Sequence, residues 1–181
     1  MSARLQLTRD MLQNGTHLLI TDVDNVFSRY VPLYGFLEEG YDAYHAFEMR
    51  YPDHIFRNFG YVICSGHQFL RSSPRTLLFF DLIMKSCSRE RRGAQGKCDD
   101  QVVYNNVLFY ELDIRWDNID NPNHEKALRI NTTNPENHNL LVESVTGRSL
   151  VTNHTIKIWD RDFAWRVSSF THSTNIRVDS D

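Results

Sequence analysis

The stretch His17-Leu-Leu-Ile-Thr21-Asp22-Val-Asp24-Asn25 joins a short apolar run, too brief for a helix, to two carboxylates. It predicts a buried strand over 17–21 with the acidic residues at its carboxyl end. Upstream, Leu5, Met11 and Leu12 share a helix-compatible face over 4–13. Asn14-Gly15 then supplies a stop, because Asn and Gly tolerate the left-handed backbone that ends helices. Helix, glycine turn, buried strand and acidic tip form the pattern of an α/β domain, whose ligands gather outside the carboxyl ends of strands.

Working outward, the aromatic and glycine-bearing segment 30–44 reads as loop with one turn of helix, and 46–58 carries no decisive period. Residues 59–65 give a second buried strand. Ser73-Pro74 opens a helix, since Ser caps free amides and Pro is preformed for the first turn; it carries Leu77, Leu78, Phe80 and Met84 and ends near Cys87. The polar, glycine-punctuated run 88–97 predicts an exposed loop, and 99–109 a second helix. From residue 110 the texture changes to short strands, at 111–114, 139–145, 149–152, 156–159 and 164–168, with an Asn-rich connection over 117–139.

The chain has 181 residues, 41% hydrophobic and 24% charged, the usage of one ordinary globular domain. A net charge of -3 offers no basic field for nucleic acid or an anionic membrane surface. No apolar run approaches the roughly 20 residues of a membrane span, and residues 1–10 lack the pattern of a signal peptide. The three cysteines, Cys64, Cys87 and Cys98, fit no metal-binding spacing.

In an extended segment alternate side chains share a side, so Asp22 and Asp24 present two anionic oxygens together. Such a pair suits a hard cation completed by the phosphate oxygens of a substrate, although an isolated D-x-D also arises by chance. Two families compete for it. The run Leu19-Ile-Thr-Asp22-Val-Asp24-Asn-Val26 resembles the nucleophile motif of haloacid-dehalogenase-type phosphatases, with Asp22 attacking phosphorus, Asp24 as general acid and Ser65 as the second motif. Its remaining parts fall to Lys97 and Asp99-Asp100, crowded after a polar loop with no strand before them.

The chain also resembles the nucleotide-diphospho-sugar transferase family, glycosyltransferases of GT-A type. The matches are Leu18-Leu-Ile-Thr-Asp22-Val-Asp24-Asn-Val-Phe27 with Pro32 downstream, Asn58-Phe-Gly60-Tyr-Val-Ile-Cys64 before a helix, and Asp100-Gln101-Val-Val-Tyr-Asn105-Asn-Val-Leu108. Together they cover about residues 5 to 116. The resemblance implies an α/β, Rossmann-like GT-A domain, here partial, with a family-like part at 1–116, the connection 117–139 and C-terminal strands at 140–181. It implies transfer of a sugar from a nucleotide-diphosphate donor to a glycan or glycoprotein acceptor.

By that resemblance Asp24 and Asp22 hold a divalent metal, manganese by expectation, against the donor diphosphate. Asp100 faces the transferred sugar or the acceptor hydroxyl, and Gln101 positions a neighbouring group. A helix N-terminus, where carboxylates are favoured, accounts equally for Asp99-Asp100. His172, in Phe170-Thr-His172-Ser-Thr-Asn175, matches loosely a histidine that contacts metal or diphosphate; a surface histidine is the competing reading. Trp116, Trp159 and Trp165 are candidates for an acceptor-sugar platform, with Trp116 assigned to the core.

A complete GT-A domain carries a nucleotide-binding half before its D-x-D, whereas about twenty residues precede Asp22. The expectation is a partial domain, inactive or weakly active alone, or a non-catalytic remnant, with an uncovered edge on strand 17–21. The family usually works in the Golgi or secretory lumen, where Cys87 and Cys98 would bridge. The sequons at Asn14, Asn131 and Asn153 permit that compartment.

Overall fold

The computed structural model describes residues 3–22, 25–27, 33–48, 51–59, 61–91, 98–117, 128–129, 140–141, 144–159 and 164–166. In chain order these form α1 (Ala3–Gln13), β1 (Leu18–Thr21), β2 (Asn25–Phe27), α2 (Leu33–Glu39), β3 (Ala43–Glu48), α3 (Asp53–Phe59), β4 (Val62–Leu70) and α4 (Pro74–Arg91). Then come α5 (Asp100–Asn106), a π-helical turn Val107–Glu111, β5 (Ile114–Trp116), β6 (Leu128–Arg129), β7 (Leu140–Leu141), β8 (Val145–Ser149), β9 (Thr155–Ile158) and β10 (Ala164–Arg166).

Six strands make one mixed sheet in the order β1-β4-β3-β9-β8-β5, while β10-β2 and β6-β7 form two-stranded ribbons. The architecture is the α/β class expected. Only β3 and β9 run parallel; the other neighbours of the main sheet are antiparallel. Alternation along the strands divides the core. Ile63 and Leu70 of β4, Ala43 of β3 and Ile156 and Ile158 of β9 face α1, α4 and α5, packing with Leu5, Leu12, Phe79, Phe80, Ile83, Tyr104 and Leu108. Cys64, Phe69, Tyr44, Ala46 and Trp159 point the other way onto Phe36 of α2. With both faces covered, every residue of β4 is buried.

Several local expectations need correction. Strand 17–21 is β1, at the sheet edge, where Leu18 is buried but Leu19 is exposed; a strand at an edge covers one face only. Leu5, Thr8 and Leu12 form the buried stripe of α1, and Met11 is exposed. β4 continues through Gly66-His67-Gln68 to Leu70 instead of stopping at 65. Ser73 caps α4, its Oγ accepting from Thr76 N at 3.1 Å, but the helix runs to Arg91, so 88–91 is not loop. Residues 150–152 turn between β8 and β9 and are no strand, and Glu111 closes the π-helical turn instead of opening β5. The ambiguous region resolves into β3 and α3.

One polar hub fixes the centre. Asp42, fully buried, accepts from Thr155 N and Thr155 Oγ1, both at 2.9 Å, and from Ser73 Oγ at 2.9 Å, and pairs with Arg75 at 2.9 Å. Burial alone pushes its carboxyl upward, but these donors together hold it below the ordinary value of 3.8. At the other end of α4, Cys87 and Cys98 form a disulfide that ties the helix to the start of α5. The Arg89–Glu111 ion pair joins α4 to the π-helical turn.

Candidate active site

Asp22 leaves β1 one step beyond the Thr21–His67 pair, which sets it opposite Gly66 of β4. Its backbone N donates to Gly66 O at 2.7 Å, extending the ladder by one bond. The carboxylate then lies flat against Gly66: a Cβ there would fall 1.8 Å from Asp22 Oδ2 and 2.5 Å from Cγ. Glycine in a buried strand usually marks such a close approach.

Asp100 reaches the same place from α5. Asp99 is the N-cap of that helix, its Oδ1 accepting from Val102 N at 3.2 Å, and Asp100 stands in its first turn, so the helix-terminus reading holds for both while Asp100 also reaches Arg4. Arg4, in the first turn of α1, joins them. Its Nη1 lies 3.3 Å from Asp22 Oδ1 and 3.5 Å from Asp100 Oδ2, and its Nη2 donates to Ser65 O at 2.8 Å. Three segments far apart in sequence thus meet on one guanidinium, and all three side chains keep about a third of their surface in contact with solvent.

Gln101 turns toward the sheet. Its Oε1 accepts from Ser65 N at 2.7 Å, and its Nε2 donates to Ile63 O at 2.5 Å and Tyr51 O at 3.0 Å. Asn105, one turn on, holds Ile63 from the same helix face, accepting from its N at 2.8 Å and donating to its O at 3.0 Å. Gln101 thus holds the backbone of β4 and of Tyr51, whose hydroxyl donates to Asp99 Oδ2 at 2.7 Å.

Of the residues singled out in the sequence, Asp22 and Asp100 come together and Gln101 supports them from behind. Asp24, His172 and Lys97 lie outside the described residues, as does Asn131, and the side chain of Trp165 is likewise not described. Trp159 is no sugar platform: it is buried among Phe36, Tyr44 and Phe69. Trp116 packs on the edge of the main core beside Phe109 and Tyr61, as assigned. Sequence reading missed Arg4 and Gly66, and held Asn105 only as part of the third match, without a role. Gly66 carried a usable signal, a glycine inside an apolar strand; Arg4 carried none, since only the tertiary fold brings it to the carboxylates.

Residues 1–134 match the model of the nucleotide-diphospho-sugar transferase family, and the chain belongs to that family. No curated protein and no solved structure matches it. Membership gives the chain a glycosyltransferase-type function and displaces the phosphatase alternative; a nucleotide-sugar donor and an acceptor follow from the family. Among the described residues no helix is long and apolar enough to cross a membrane.

The divalent ion expected from the resemblance would need oxygen donors at this place. Among the described residues no three His, Cys, Asp or Glu side chains converge on one point. Asp22 and Asp100 nonetheless supply hard oxygen donors and already share a cation in Arg4, so the donor set suits an ion held by one or two carboxylates plus substrate phosphate.

Proposed function

We propose that the chain is a metal-dependent glycosyltransferase that moves a sugar from a nucleotide-diphosphate donor to a glycan or glycoprotein acceptor. The observation that supports this reading is the meeting of Asp22 and Asp100 on Arg4, which puts the first carboxylate of the D-x-D beside the first residue of Asp100-Gln101. Asp22 and Asp24 would hold a divalent ion, manganese in our reading, and the bound ion supplies charge neutralisation for the leaving diphosphate. Asp100 would orient the transferred sugar or the acceptor hydroxyl. Gln101 and Asn105 keep α5 seated on β4 so that Asp100 stays in reach. His172 is proposed as a contact to metal or diphosphate.

The test is turnover of sugar nucleotides by the full chain with manganese, comparing wild type with Asp22→Asn and Asp100→Asn. Loss of about 100-fold or more in kcat with the fold retained is expected, since these groups act on charge developing in the transition state. Turnover equal to wild type in both variants would remove the pair from the mechanism.

We further propose that the protein works in the Golgi or secretory lumen. The Cys87–Cys98 bridge supports an oxidising compartment, and the sequon residues Asn14 and Asn153 are exposed. A glycosidase-sensitive mass shift in protein from secretory cells is expected; unmodified protein with reduced thiols in the cytosol would contradict it.

A further inference from the structure

The transferase reading leaves Arg4 without a part, although it is the residue that joins the two carboxylates. Two carboxylates side by side repel and draw in a cation, and here the chain supplies one. Arg4 supplies it as a planar guanidinium, whose fork of donors can serve several oxygens at once. Its Nη1 serves Asp22 and Asp100 at once while Nη2 is anchored on Ser65 O, which fixes the guanidinium between them. The close packing of Asp22 on Gly66 restricts where the carboxylate can swing. Any further cation approaching Asp22 must therefore share it with Arg4 or displace Arg4.

All three side chains keep partial contact with water, and bridges of that exposure are individually weak. The guanidinium can thus be exchanged.

We propose that Arg4 is the resident counter-cation of the site and sets its demand for metal. It holds Asp22 and Asp100 in register before the donor arrives, and it competes with a divalent ion for Asp22, so the ion is taken up strongly only when donor phosphates add their own oxygens. This deepens the transferase reading and rests on it for the identity of the donor; the competition at Asp22 stands on the geometry alone.

The test uses the full chain and manganese alone, following the free-ion signal by electron paramagnetic resonance. Arg4→Gln is expected to bind manganese roughly two- to thirtyfold more tightly than wild type, the range given by removing two weak ion pairs. Arg4→Lys, which keeps the charge but cannot reach three oxygens in a planar fork, should fall between them, and it carries the test if Arg4→Gln does not fold. The gain should vanish in Arg4→Gln combined with Asp22→Asn.

Manganese affinity in the Arg4 variants equal to or weaker than wild type overturns the proposal, as does a gain that survives loss of Asp22. Sugar transfer by wild type, measured alongside, separates the two readings. Transfer with no effect of Arg4 on manganese sinks the counter-cation and spares the transferase. Tightened manganese binding without any transfer does the reverse.

Discussion

The carboxylate of Asp22 rests directly on the Cα of Gly66, in space that any other residue at position 66 would fill. Gly66→Ala must push Asp22 aside or bend β4. The Asp22 carboxylate is a third exposed and can swing away, so we expect a stability loss of no more than about 1 kcal/mol, at or below the low end for an added methyl in a packed interior. Weaker pairing of Asp22 with Arg4 should accompany it. Urea denaturation measures the first, and a crystal structure of the variant the second; a variant as stable as wild type with Asp22 unmoved would show that the contact is slack.

Asn105 is fully buried and its amide satisfies both backbone groups of Ile63. Asn105→Ala leaves the Ile63 N–H and C=O in the core without this partner, an expected cost of about 1–3 kcal/mol. Asn105→Asp should be worse, because a carboxylate cannot donate to Ile63 O. Denaturation midpoints that rank Asp above Ala would refute this account of how α5 is seated.

Acid should unfold the protein early. His45 on β3 and His154 before β9 are buried, and their ring nitrogens have no hydrogen-bond partner among the described residues. Burial lowers their pKa to about 3 and about 4 from the ordinary 6.5; the His154 imidazole lowers His45 further, whereas the Asp42 carboxylate opposes burial at His154 and Arg75 adds to it. The unfolded chain therefore takes up protons first: stability is complete above pH 6.5 and declines as pH falls toward the folded values. At pH 5 each histidine should cost about 2 kcal/mol relative to neutral pH. Asp42, held below 3.8, adds its loss only in the more acidic range beneath that value. His45→Leu should flatten the decline between pH 6.5 and 5; an unchanged slope would mean that His45 keeps a proton or a water in the fold.

Reduction of the Cys87–Cys98 bridge, which closes a loop of 11 residues, is expected to lower stability by about 2–3 kcal/mol. Native alkylation after mild reduction should label Cys98, the partly exposed thiol of the pair, ahead of the buried Cys87 and Cys64. Labelling of Cys64 first would show that β4 opens before the bridge is reached.

Local chemistry was readable where it decides structure locally. Ser73-Pro74 marks the start of α4, Asn14-Gly15 the end of α1, where Gly15 has φ of +83°, and Asp99 the cap of α5. Tertiary burial was not readable. β3 carries His45 and Glu48 among its apolar residues, so neither period stands out, yet its centre is buried from both sides. β4 outruns its apolar segment because Gln68 finds Ser65 O and the Tyr104 hydroxyl inside the core. At the site, carboxylates announced themselves by type and spacing. Arg4 depends on the first turn of α1 reaching Ser65 of β4, a relationship between segments about sixty residues apart.

The parallel pairing of β3 with β9 sets an order on biosynthesis. Asp42 and Thr155, which bolt the two strands together, are separated by 113 residues, and β5 reaches the sheet only through β8. While the nascent chain leaves the ribosome, α1, β1, β3, β4 and α4 can assemble, but the flank of β3 stays open until residue 158 has emerged. Such late closure raises the contact order and lengthens the time during which a bare strand is exposed to other chains. Yield in cells should accordingly respond to chaperone supply and to translation speed across residues 117–158 more than to changes within α1.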